Sequence, residues 1–213
     1  MVVHKGLMIA ILILLGLFPL AGWAGTSAIE LSQESMVHCQ QGRIATERAE
    51  RAHHFEIGKQ LAEEAIHIDQ KYPNGHFSFF CNLGEQMRLD GEVLSAVMEY
   101  NRLMEALDTA LALNPDYLDA ISAKGMLLVR LPWIMGGDPE KGEVLLRRVV
   151  QEDPTAVNAR IGLARLCVER GDHQDALMFA QDAYTLAKER QQLDLLPEAQ
   201  QLLADIQKTT VSR

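Results

Sequence analysis

Positive charge is what this chain has least of relative to need: 20 Lys and Arg stand against 29 Asp and Glu, a net charge of −9. A nucleic-acid partner calls for the opposite balance, because phosphate contacts are made by Lys and Arg. The same deficit disfavours an anionic membrane surface. Aromatic residues are scarce at 6%, although 48% of the chain is hydrophobic, so the core is aliphatic and the composition that of a helical protein. There are three cysteines, Cys39, Cys81 and Cys167, and an odd number excludes a fully paired framework. Neither CxxC nor CxxCH occurs. In an oxidising compartment a Cys39–Cys81 disulfide is one reading, and small buried hydrophobes are the other.

Catalytic signatures are also missing. No Walker loop, GxGxxG, GxSxG or HExxH stands in the sequence. His53-His54 and His67 fall on one expected helix, where His53 and His67 would lie about 21 Å apart at 1.5 Å per residue, too far to share a metal. No metal site and no cofactor are expected, and the chain reads as a binding protein rather than an enzyme.

What is present begins with residues 1–24. Lys5 precedes an apolar run over 6–20, and Ala21-Gly22-Trp23-Ala24 ends it with small residues. This is the three-part pattern of a signal peptide cut after Ala24. The run is short for a spanning helix, so residues after it are expected in the periplasm or secreted, without stable membrane insertion; an uncleaved N-terminal anchor is the other reading. Trp23 occupies the position where a lipoprotein box needs Cys, which excludes lipidation by that route.

The remainder repeats itself. Residues 61–75, 103–117 and 142–156 are each amphipathic and end in Tyr72-Pro73, Asn114-Pro115 or Asp153-Pro154. Proline stops a helix because it lacks an N–H and restricts the residue before it. Leu83-Gly84 with Gly91, Gly125, and Leu163-Ala164 with Gly171 and Ala176 supply small residues for close helix crossings and glycines for turns. Paired helices are predicted at 29–41 with 44–72, 75–90 with 92–114, 117–131 with 138–152, and 156–170 with 173–188, and a capping helix at 196–208 with Pro197 at its start. The domains are therefore 25–74, an irregular pair; 75–188, the regular repeats; and 189–213, cap and tail. The fold class is all-α, a solenoid of about four antiparallel helix pairs, since one pair cannot bury its own apolar face.

The spacing of these small residues, glycines and prolines resembles the tetratricopeptide repeat. The loop Leu131-Pro132-Trp133-Ile134-Met135-Gly136-Gly137-Asp138 and the long helix before Asn114-Pro115 are similar to a subgroup that includes the regulator-of-microtubule-dynamics family and the T-component of TRAP transporters. The resemblance implies a non-enzymatic scaffold that holds a protein or peptide on its concave face. A small-molecule-binding accessory of a transport system, with a pocket lined by Phe77, Phe79, Phe80 and Met126, is the alternative. It also places Ser78, Cys81, Glu85 and Arg88, then Asp119, Ser122, Met126 and Arg130, then Asn158, Ile161, Arg165 and Glu169 on the concave side. Arg88, Arg130 and Arg165 are one basic residue per repeat, a row suited to a carboxylate because a guanidinium binds it with two parallel hydrogen bonds. Ion pairs to neighbouring helices are the competing use of these arginines. Trp133 is either a contact point for a partner or, as the subgroup favours, a plug folded back into the gap its own loop opens.

Overall fold

A computed structural model describes residues 26–91 and 96–211; residues 1–24, read from the sequence as a signal peptide, lie outside them. Nine helices are seen there: α1 Ala28–Ile44, α2 Arg48–Ile68, α3 Pro73–Asp90, α4 Ala96–Leu113, α5 Leu118–Arg130, α6 Pro139–Glu152, α7 Val157–Arg170, α8 His173–Glu189 and α9 Leu196–Val211, with a 3-10 turn at Trp133–Met135. No strand occurs among the described residues. None of the described helices is long and apolar enough to cross a membrane.

Local chemistry explains where the helices begin and end. Ser27 and Glu30 form a reciprocal capping box at the start of α1, which satisfies two otherwise orphaned N–H groups. Gly171 ends α7 at φ 81°, a left-handed turn suited to glycine. The turn after α4 and the turn after α6 share one pattern: Asn114 Oδ1 accepts from the Asp116 N–H, and Asp153 Oδ1 from the Thr155 N–H. Asp69 Oδ1 accepts from the Lys71 N–H in the same way after α2. The structural repeat is thus registered on Asp69, Asn114 and Asp153 rather than on the three prolines. Pro73 does not close α2, which ends at Ile68; it is the first residue of α3, where its missing N–H costs nothing.

Sequential helices pack as antiparallel pairs, and α1 also packs on α3, α5 on α7 and α7 on α9. Even-numbered helices show no comparable contact with one another. Odd helices drawn together and even helices spread apart describe a curved array, with α1, α3, α5, α7 and α9 on the inner side. Glycines let α5 and α6 cross closely. A Cβ added at Gly142 would stand 2.8 Å from the Gly125 carbonyl oxygen, and one at Gly125 would stand 2.8 Å from Leu146 Cγ. Leu146, fully buried, fills the space between α5, α6 and α7 with Ile121, Val129, Leu163 and Leu166.

The joint between α3 and α5 is built differently. These helices do not pack backbone to backbone as the other inner neighbours do. Side chains bridge them instead: Phe77 of α3, stacked on Phe80 of the same helix at 5.9 Å, lies 4.9 Å from the ring of Tyr117 at the start of α5. The inner face is therefore widest at this joint.

Candidate binding face

The inner helices carry their arginines near their C-terminal ends, where the helix dipole favours a cation. Arg43 is the penultimate residue of α1, Arg88 lies near the end of α3, Arg130 is the last residue of α5, and Arg165 lies in the second half of α7. The fold gathers them into one polar row. Arg43 Nε donates to Glu85 Oε1 at 2.8 Å, and Arg88 Nη1 donates to the same oxygen at 3.0 Å. Arg43 Nη1 also reaches Asp194 at 3.4 Å, across 151 positions of sequence. Arg165 Nη2 donates to Glu198 Oε1 at 2.8 Å, while its Nε is buried without a partner.

Arg130 stands between these pairs. It is exposed, and among the described residues it makes no hydrogen bond or ion pair. Partial desolvation, then the positive charges of Arg88 and Arg165, lower its guanidinium below the ordinary value, against the opposing pull of Glu198 and Glu85. Arginine does not lose its proton for this; the strain in its charged form marks a place where an added anion would be stabilised.

Cys39 and Cys81 lie beneath this row, both buried and both free thiols. Cys39 donates to the Cys81 sulfur, and the Arg43 guanidinium lies 3.8 Å from it, so the Cys81 thiol is lowered. The same coupling, with burial, raises Cys39 well above the ordinary thiol range. Arg43 remains a firm cation: desolvation opposes its charge, but the Cys81 and Cys39 sulfurs and Glu85 outweigh that penalty.

The expected residues separate into three groups. Arg88, Arg130 and Arg165 come together as a row, and Glu85 joins them as the buried counter-charge of Arg43 and Arg88. Asp119 and Glu169 are exposed, and Asn158 and Met126 are half-buried. Ser78, Cys81, Ser122 and Ile161 are buried; they belong to the packing beneath the face. Ile161 is the clearest case, fully buried against Ala183, Ala187 and Ala199 because α7 is covered on both sides by α8 and α9. The four residues expected around a small-molecule pocket do not converge. Phe77 and Phe80 pack with Leu107 and Ala110, Phe79 with Ala62 and Leu103, and Met126 with Leu146.

Trp133 does not plug its loop. It is 84% exposed and Ile134 72%. The loop closes its own gap with backbone: the Gly137 N–H donates to the Pro132 carbonyl at 3.1 Å, and the Asp138 N–H to the Leu128 carbonyl at 2.9 Å. Tyr100 Oη braces it by donating to the Met135 carbonyl at 3.0 Å. Arg43 and Asp194 are the site residues that sequence reasoning missed. Arg43 could have been found as a cation at the end of the first inner helix, in line with Arg88 and Arg130.

The tetratricopeptide repeat family profile matches residues 134–206. No curated protein matches the chain. Among solved structures, one described as "MamA RS-1 ArsTM double mutant" is similar with a TM-score of 0.45 and 14% identity, over 86% of this chain and 98% of that one. The matched residues run from the exposed loop through α6, α7 and α8 into α9. Such arrays are in general non-enzymatic scaffolds whose concave surfaces bind proteins.

Proposed function

We propose that this tetratricopeptide-repeat chain is an exported adaptor that holds a carboxylate-bearing segment of a partner protein against its inner arginine row. The carrying observation is Arg130, an exposed guanidinium without a counter-ion, set between the charges of Arg88 and Arg165. Competing ion pairs occupy only part of the row: Glu85 lies beside Arg88, and Glu198 beside Arg165. A partner carboxylate placed at Arg130 would sit between Arg88 and Arg165, which Glu85 and Glu198 already hold in place, so side-chain entropy would be lost mainly at Arg130 itself. The wider joint between α3 and α5 gives an extended peptide room beside the row. Export is supported by the signal pattern of residues 1–24.

The test is an affinity pull-down from the exported fraction with mass spectrometry, followed by titration of the captured protein's acidic segments as peptides. The chain is compared with the Arg88→Ala, Arg130→Ala, Arg165→Ala triple variant. A partner whose peptide binds at least tenfold more weakly to the variant, with affinity that falls as salt rises, supports the reading. A partner bound equally by both proteins sinks the arginine site. Intact mass of the exported protein shows whether it begins at Gly25.

A further inference from the structure

Two histidines from different helices meet on the side of the first pair. His38 on α1 and His54 on α2 point their Nδ1 atoms at each other, 3.0 Å apart, with ring centroids 5.2 Å apart. Both are half-buried. Two protonated imidazoles cannot share that spacing without strong repulsion, so one Nδ1 donates and the other, unprotonated, accepts. Glu34, one turn before His38, is the carboxylate acting on it. His54 also borders an open surface cleft with Gln41 and Glu50, so solvent and ions reach it.

We propose that His38 and His54 form a bidentate site for a divalent first-row cation that prefers right-angled ligands, Ni(II) or Cu(II). The geometry carries this. With metal–imidazole bonds of about 2.1 Å, two nitrogens 3.0 Å apart subtend roughly 90° at the metal, the angle of adjacent ligands in a tetragonal or octahedral site. A tetrahedral Zn(II) would need them further apart. Binding replaces one hydrogen bond: the ring that carries its proton on Nδ1 shifts it to Nε2, and a modest turn of both rings aims the two free Nδ1 lone pairs at the cation. Neutral imidazole is the ligand form, so no ligand side chain has to be ionised. Among the described residues no set of three or more His, Cys, Asp and Glu side chains is placed to hold a metal, so water completes the coordination and Glu34 supplies charge from nearby. Spacing along one helix does not reveal such a site, because its two donors come from opposite arms of a helical hairpin.

The experiment is calorimetric and thermal titration of the tag-free full chain with Ni(II) chloride, alongside His38→Gln, His54→Gln and His53→Gln. One equivalent of Ni(II) should bind, and saturating metal should raise Tm by several degrees, as for any ligand selective for the folded state. Each of the His38 and His54 variants should lose both the heat and the shift, and the His53 variant should keep them. Metal-free circular dichroism of the variants confirms that they fold; should one not fold, the other decides. Absence of binding in the unmodified chain, or binding retained when either His38 or His54 is replaced, overturns the site.

Discussion

At the scale of single residues, the inner face contains charges of two kinds, and they should respond differently to removal. Glu85 is buried and holds two guanidinium groups at once. Replacing it with Ala leaves Arg43, itself largely enclosed, without its main counter-charge. That should cost roughly 3 kcal/mol, the low end for a buried pair because Arg43 and Arg88 keep some access to water. Arg130 has no pair to break, so Arg130→Ala should leave urea stability within about 0.5 kcal/mol of the unmodified chain, as for an ordinary surface change. Paired denaturation curves check both. A large loss in the Arg130 variant would mean that its stem is packing rather than waiting for a ligand. Trp133→Ala belongs with Arg130: at 84% exposure the indole supports nothing in the fold, and the same curves should register no change beyond about 0.5 kcal/mol.

At the scale of helices, the sequence is most legible where a residue's role is local. Gly171 and Pro197 mark helix ends by their own backbone chemistry, and the end of α7 and the start of α9 follow from them with little error. Small residues at a crossing are legible too: Gly125 is placed at a close approach by its spacing, and it sits there against Leu146 and Gly142. Legibility fails where prolines play different parts. Pro73 opens a helix, whereas Pro115 and Pro154 follow the residues that close one, and only the side-chain hydrogen bond of Asp69 shows the true register. It fails again at the site, since the approach of Arg43 to Asp194 and of His38 to His54 depends on how helices cross, which no spacing within one helix encodes. The α5–α6 crossing gives this scale its prediction. A methyl group at Gly142 would meet the Gly125 carbonyl oxygen and Val129 Cγ2, both at 2.8 Å. Backbone cannot yield as a flexible side-chain tip can, so Gly142→Ala should force the two helices apart and cost about 2–3 kcal/mol despite its better helix propensity. Gly84→Ala is the control. Its added carbon would meet only Leu103 Cδ1 at 3.4 Å, an ordinary contact, and the gain in propensity should leave stability unchanged or raised by up to about 1 kcal/mol.

At the scale of the whole molecule, the question is how the two ends of the array communicate. In a helical-repeat chain each unit touches its neighbours, and stability spreads as a sum of nearest-neighbour terms. Arg43 breaks that rule by reaching Asp194, just before α9, while Arg165 ties α7 to α9 through Glu198. The first inner helix and the last are thereby joined through a strip of charged side chains that runs over the widest joint, between α3 and α5. Asp194→Asn tests the link. The substitution removes the charge and keeps the size, and Glu85 still holds Arg43, so the global fold should persist with a loss of at most about 1 kcal/mol for a partly exposed pair. The change should instead be regional. Amide hydrogen exchange should quicken by about fivefold, the equivalent of ~1 kcal/mol, both in the last turn of α1 and in the segment 190–195, while α5 and α6 exchange as before. Faster exchange confined to 190–195 would mean that the contact is decoration on a loop. Faster exchange at both ends would establish that the arginine row also clamps the curvature of the array, so that a partner carboxylate bound there would act on the shape of the whole inner face and not only on Arg130.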